Sequence, residues 1–175
     1  MIDQRMQDAI NDQLNYELYS AYIYYSMESW FRNKGFLGFA NWMAVQIKEE
    51  MCHAQIMFNY VTDRNGRVLF KGIDGPNNDW DSPLHIFQAA YEHEQIVSSR
   101  INAIMDLAIE IKDHATAQWL QWFVGEQVEE ESNTSEIAGR LEWAKDSPAV
   151  LFQLDTEAAA RVFTLPAPLV AAAAG

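Results

Sequence analysis

Apolar side chains recur at alternating steps of three and four residues along most of this chain, which predicts long amphipathic α-helices. Four such patterns follow one another, and they end near residues 33, 62, 112 and 145. The third begins at Ser82-Pro83, a capping residue followed by a proline in the first helical turn. The same signal at Ser147-Pro148 predicts a short fifth helix. The fold class is therefore all-α.

The connections predict how these helices are arranged. Short turns at Asn33-Lys34-Gly35 and Lys112-Asp113 make helices one and two, and helices three and four, antiparallel hairpins. Residues 64–81 lose the periodicity and collect Asn-Gly and Gly-Pro turn signals. Fully extended, this connection reaches roughly 60 Å, more than the roughly 42 Å of a helix of about 28 residues. We predict a four-helix bundle with one long crossover between helices two and three, plus a short C-terminal helix.

Side chains of the kinds that bind metals interrupt the apolar stripe of every long helix. Glu17 lies in the first stripe and Glu50 in the second, three residues before His53. Residues three apart project from one face of a helix, so Glu50 and His53 can hold the same ion. A shift of 77 residues maps this set onto a second set of polar positions: Glu94, Gln127 and Glu130.

Glu17 and Glu50 lie equally far from the first turn, and Glu94 and Gln127 lie about equally far from the second, so we expect each pair at one height in the core. An unpaired buried carboxylate destabilises a fold strongly. One alternative is a set of core carboxylates satisfied by other side chains, but the nearby stripe positions offer no lysine or arginine, only Tyr24 and Tyr91. Two divalent cations are the natural neutralisers, with Glu50 placed to bridge them. Oxygen donors with one imidazole suit iron or manganese, and zinc less specifically.

The composition narrows the classes of function. A chain of 175 residues with 49% apolar residues can form one domain with a sizeable core, and its net charge of −13 argues against nucleic acid or an anionic membrane as a partner. A single cysteine excludes an internal disulfide, and no apolar run reaches the roughly 20 residues that span a bilayer. We expect a cytoplasmic protein with one domain at 1–161 and an apolar tail at 162–175, for which disorder is one interpretation.

In combination, the motifs resemble those of bacterial non-haem ferritins, and the likeness covers nearly the whole chain. The segments that carry it are LNYELYS at 14–20, KEEMCH at 48–53, HEQ at 93–95 and EQVEEE at 126–131. Ferritin-like di-iron bundles are the known example of glutamates and Glu-x-x-His motifs projecting into a bundle with one long crossover, and the pattern of this chain is similar to theirs.

The resemblance implies specific iron ligands. One iron is implied at Glu17, Glu50 and His53. A second is implied at Glu50, Glu94 and Glu130, with Gln127 beside it as a weak or absent ligand. A third iron position is implied at Glu49, Glu126, Glu129 and Glu130. The alternative for this acidic run is a solvated helix face.

Tyr24 lies two helical turns after Glu17 on the same face. The resemblance implies that it donates an electron near the iron centre, whereas its alternative role is an ordinary core aromatic.

The implied function is iron storage. Two Fe(II) ions are oxidised together by dioxygen or hydrogen peroxide, and the ferric product enters a mineral inside a cage of 24 identical subunits. A haem-containing bacterioferritin and a non-storing di-iron peroxidase are the alternatives. Gln127-Val128-Glu129-Glu130 replaces the second Glu-x-x-His motif of bacterioferritins, which favours a transit site over a permanently bound centre. Met51 occupies the position from which bacterioferritins bind haem, but haem is not expected here.

Overall fold

The computed structural model of the protein describes residues 2–144 and 147–173, with side chains up to residue 170. The helices of these residues are α1 (Gln4–Lys34), α2 (Leu37–Asp63), α3 (Pro83–Glu110), α4 (His114–Trp143), α5 (Pro148–Ala158) and α6 (Ala167–Ala173). Lys145, the expected end of the fourth helix, and the last two residues of the tail lie outside the described residues. None of the described helices is long and apolar enough to span a membrane.

Capping geometry confirms the predicted starts of α3 and α5 and the predicted turn after α1. Ser82 caps α3 by accepting a hydrogen bond from His85 N at 3.1 Å, and Ser147 caps α5 in the same way. Each serine is followed by a proline in the first turn, where a missing N–H costs nothing. Gly35 ends α1 with φ of +82°, a left-handed conformation that glycine adopts without strain.

Residues 2–80 and 147–173 form one compact unit, in which α1 and α2 pack as a hairpin. Its core follows the predicted spacing of three and four residues. The largest buried side chains are Met6, Ile10, Leu14, Tyr24, Met27, Phe31, Phe39, Met43 and Met57. Residues 81–144 form a second unit, the α3–α4 hairpin, with Ile86, Phe87, Leu120 and Phe123 fully buried.

Amide side chains on α1 bind the long connection that follows α2. Asn15 accepts a hydrogen bond from Lys71 N at 2.7 Å and donates one to Leu69 O at 2.9 Å. Asn11 makes the corresponding pair with Leu69 N at 3.1 Å and Arg67 O at 3.0 Å. Four helical residues rise about 6 Å and two residues of extended chain about 6.5 Å, so the two segments stay in register. The ladder supplies partners for backbone groups that have none within a helix or sheet.

The same connection contacts α1 again near its other end. Ser26 donates a hydrogen bond to Asn77 O and accepts one from Trp80 Nε1 at 3.2 Å. The predicted long crossover therefore follows α1 over most of the length of that helix.

The C-terminal segment packs on the beginning of α2. Asp155 in α5 accepts a hydrogen bond from Phe39 N at 2.8 Å, which satisfies an amide in the first turn of α2. Asn41 donates to Ala159 O at 3.3 Å and to Arg161 O at 3.0 Å. A helix α6 within the apolar tail was not predicted, although alanine, its most frequent residue, is the best helix former.

Gly38 is the residue that permits this close packing. A Cβ atom at this position would lie 1.5 Å from Asp155 O, whereas a Cβ atom at Gly139, near the end of α4, would meet nothing within 4 Å. We expect Gly38→Ala to destabilise the protein by about 1–3 kcal/mol, because α5 must shift away from α2. Gly139→Ala is the matched control and should be neutral or stabilising by up to about 1 kcal/mol, because alanine favours the helix. Denaturant unfolding of both variants checks this, and equal effects would contradict the packing role of Gly38.

Candidate metal centre

Three buried side chains meet in the interior of the α1–α2 hairpin. Glu17 comes from α1, and Glu50 and His53 come from one face of α2. Their exposed fractions are 1%, 1% and 2%, and one ligand atom from each lies within 4.8 Å of the others. His53 Nδ1 is 3.4 Å from Glu50 Oε2. The Glu-x-x-His pair and its partner on α1 are therefore brought together as the spacing predicted.

Two glutamines orient the carboxylates. Gln13 Nε2 donates to Glu17 Oε1 at 2.8 Å, and Gln46 Nε2 donates to Glu50 Oε1 at 3.3 Å. Both glutamines are fully buried and stand four residues before their glutamate, one turn earlier on the same face. Neither was predicted as part of the site. The signal was present, because Gln13 and Gln46 are separated by the same 33 residues as Glu17 and Glu50.

Hydrogen bonds alone do not compensate the negative charge of this cluster. Burial and the neighbouring charge of Glu50 raise the pKa of Glu17 well above its ordinary value of 4.5, and His53 and Gln13 offset only part of that. Glu17 Oε2 is buried and has no hydrogen-bond partner among the described residues. Two carboxylates and one imidazole with an unsatisfied oxygen form a donor set that fits iron, manganese or zinc. A divalent cation bound here would supply the missing positive charge.

The α3–α4 hairpin buries its own polar side chains. Glu94, Gln127 and Glu130 are all buried, as predicted. Gln127 Nε2 donates to Glu94 Oε2 at 3.2 Å and to Glu94 O at 3.3 Å. Its amide therefore positions the carboxylate of Glu94.

His93, beside Glu94, is buried although it was not predicted as part of the site. Burial and the charge of Arg100 lower its pKa to about 4, so this imidazole is neutral at physiological pH. A neutral buried histidine contributes no positive charge to balance the carboxylates of its hairpin.

The remaining predicted residues differ in their surroundings. Tyr24 is fully buried in α1, on the face that carries Glu17. Glu126 is partly exposed and Glu129 is exposed on α4. Glu49 is partly exposed and forms an ion pair of 2.5 Å with Arg161, a residue outside the predicted site. No local pattern predicted this contact, because it joins residues 112 positions apart.

Comparison with known proteins gives a consistent result. Residues 7–143 match the family described as Ferritin-like domain. The chain is 40% identical over 157 residues to the bacterial non-heme ferritin of Bacteroides fragilis strain 638R. The aligned region covers 90% of this chain and 98% of that protein. The bacterial non-heme ferritin of Staphylococcus aureus strain USA300 is 34% identical over 93% of this chain and 98% of its own length.

A solved structure extends the likeness to three dimensions. An open-pore ferritin from the hyperthermophilic archaeon Archaeoglobus fulgidus superimposes with a TM-score of 0.92 at 44% identity, over 93% of this chain and 100% of that one. The predicted all-α, ferritin-like fold class is therefore confirmed.

The raised pKa of Glu17 predicts how the stability of the metal-free protein depends on pH. A folded-state pKa above the ordinary value means that protonated Glu17 favours folding below pH 4.5, and that this contribution is lost as pH rises through the folded-state pKa. Glu17→Gln keeps the shape without the charge. We expect its melting temperature in chelator to match that of the parent protein at acidic pH and to exceed it increasingly as pH rises.

Thermal unfolding across acidic to neutral pH, with exposed Glu136→Gln as the control, measures the effect. A difference that does not change with pH would contradict the raised pKa of Glu17.

Proposed function

This chain belongs to the ferritin family, and we propose that it is an iron-storage ferroxidase that oxidises Fe(II) at a di-iron centre and deposits the product as a ferric mineral inside a protein cage. The observation that carries the proposal is the buried cluster of Glu17, Glu50 and His53, whose ligand atoms lie within 4.8 Å of one another. A core that buries two carboxylates beside an imidazole is stable only when a cation or a proton compensates the charge.

The first Fe(II) ion binds as a substrate to Glu17, Glu50 and His53. Because burial and Glu50 raise the pKa of Glu17, the ion competes with protonation of that carboxylate, so binding strengthens as pH rises. Gln13 and Gln46 leave one oxygen of each carboxylate committed to a hydrogen bond and direct the other toward the ion.

The second Fe(II) ion binds to Glu50, Glu94 and Glu130 by analogy with the family's motif. Gln127 acts on it through Glu94, whose carboxylate accepts the Gln127 amide. Together the two ions supply two electrons, which reduce dioxygen to hydrogen peroxide, or hydrogen peroxide to water, with two protons taken up. Tyr24 is the proposed additional electron donor. The protein holds the two ions side by side, and it releases the ferric product because it binds that product weakly.

A third iron position is proposed at Glu49, Glu126, Glu129 and Glu130. Support for it comes from the resemblance to bacterial ferritins, together with the acidic run EQVEEE on α4. This position would receive iron on its way between the di-iron centre and the mineral.

The proposed assembly is a cytoplasmic cage of 24 subunits. Large apolar side chains are exposed on the isolated subunit, among them Trp143 at 90%, Val162 at 80% and Phe152 at 73%. Exposed apolar surface of this kind is typical of residues that are covered by a partner subunit. Neither nucleic acid nor a membrane is a proposed partner.

The two alternative functions are not favoured. The curated relatives are non-heme ferritins, which speaks against a haem-containing bacterioferritin. A non-storing peroxidase would accumulate no ferric mineral, so the amount of iron that the protein takes up distinguishes it from a storage ferritin.

Glu50→Ala tests the bridging role proposed for Glu50. Since this carboxylate is assigned to both ions, its loss should lower the initial rate of Fe(II) oxidation by roughly 100-fold or more, because misplaced reactants lose the joint two-electron step. The cage should still assemble and elute like the parent protein in size-exclusion chromatography. Oxidation is followed by absorbance after mixing with Fe(II), with Glu136→Ala as the control. An unchanged initial rate would exclude the bridging role, and a parent protein that neither assembles nor accumulates iron would exclude storage.

Glu130→Ala separates the two iron positions. Glu130 is assigned to the second and third ions but not to the first, so this variant should weaken the second ion more than the first. The measurement is the occupancy of each position in an iron-soaked crystal, by anomalous scattering. Equal loss at both positions would contradict the assignment.

A further inference from the structure

Two neighbouring carboxylates on α2 have different partners. Glu50 is buried and lies with His53 and Gln46 in the interior of the hairpin. Glu49, rotated about 100° around the helix, is partly exposed and accepts a hydrogen bond from Arg161 Nη2 at 2.5 Å. The two side chains of this ion pair are 17% and 19% exposed, so both ions are largely withdrawn from solvent. A pair of this kind is stronger than a fully exposed one.

Arg161 is held in place by contacts other than Glu49. Its guanidinium lies 4.0 Å from the centre of the Trp42 ring, and Nη1 donates to Trp42 O at 3.3 Å. Its backbone oxygen accepts a hydrogen bond from Asn41 Nδ2 at 3.0 Å. These contacts position the guanidinium of Arg161 independently of Glu49, which reduces the entropy lost on forming the ion pair.

We propose that Arg161 is a positioning residue that occupies the carboxylate of Glu49 and thereby weakens the binding of a divalent cation there. The inference rests on the proposed function, in which Glu49 is a ligand of the third iron. A cation that uses Glu49 must displace the guanidinium or share the carboxylate with it. Either process lowers affinity and favours rapid release, as a transit position requires. The segment that follows α5 therefore regulates iron at α2 without touching the iron itself.

Arg161→Gln tests the proposal, because glutamine keeps a hydrogen-bond donor but removes the charge. Metal-free cages are titrated anaerobically with Fe(II), and in parallel with Zn(II), by calorimetry. We expect the weakest class of binding, beyond the two ions of the di-iron centre, to tighten by about three- to tenfold, the range for loss of a competing charge-assisted pair. Binding of the first two ions should change less than twofold, roughly the limit for removing a distant charge.

Lys48→Gln is the matched control. Lys48 Nζ lies 5.8 Å from the ring centre of Phe163 in the same C-terminal segment, and its loss removes one positive charge from α2. Equal tightening in both variants would overturn the proposal, because it would show an effect of net charge alone.

A double-mutant cycle with Glu49→Gln identifies the carboxylate through which Arg161 acts. In the Glu49→Gln background, Arg161→Gln should have no further effect on the weak class. Persistent tightening there would overturn the proposal. Asn41→Ala, which loosens the backbone of Arg161 and leaves its charge, should tighten the weak class in the same direction by a smaller factor.

The outcomes also separate this inference from the proposed function. If the parent protein binds a third ion that Glu49→Gln abolishes but Arg161→Gln leaves unchanged, the third position stands and the role of Arg161 fails. If neither the parent nor Arg161→Gln binds a third ion, the third position and the role of Arg161 fail together, and the di-iron centre is unaffected.

Discussion

The burial of like charges inside a helical hairpin is the constraint on which the rest of this structure depends. Glu17 and Glu50 lie in core positions that apolar residues would otherwise occupy, and both are 1% exposed. Burial and the neighbouring charge of Glu50 raise the pKa of Glu17, which shifts this carboxyl toward its protonated form. In the proposed function, a cation bound here competes with that proton, and the buried charges make the metal-free state less stable.

The remainder of this unit offsets that instability with apolar packing and with hydrogen bonds along α1. Fully buried Tyr24, Phe31 and Phe39 pack along the same helices as the charged cluster. The amide ladder from Asn11 and Asn15 fixes the long connection along α1, using side chains in place of a neighbouring strand. A site whose ligand atoms must lie within a few ångströms requires such support, because its ligands repel one another before the metal arrives.

Much of this arrangement could be predicted because helical periodicity is a local property of the sequence. Glu17, Glu50 and His53 were identified by spacing and by equal distance from a turn that ends at Gly35, and the hairpin brings them together. Gln13 and Gln46 were overlooked, although they have the same separation, because glutamine is usually found in solvated positions. Helix α6 was not predicted, because Pro166 just before it and Pro168 in its first turn interrupt the apolar tail.

The pairing of Glu49 with Arg161 could not be predicted in this way. Nothing in a period of three or four residues relates positions so far apart in the chain, and Arg161 lies beyond the end of α5. The contact depends on Gly38, which lets α5 approach α2, and on Asn41, which binds the backbone after α5. Adjacent glutamates on one helix thus acquire different properties. Glu50 faces inward and contributes to the charge balance of the core. Glu49 faces outward and pairs with the guanidinium of Arg161, in the segment that follows α5. Because a helix rotates its side chains by about 100° per residue, two adjacent glutamates can contribute to two proposed iron positions, one that binds strongly and one that binds weakly.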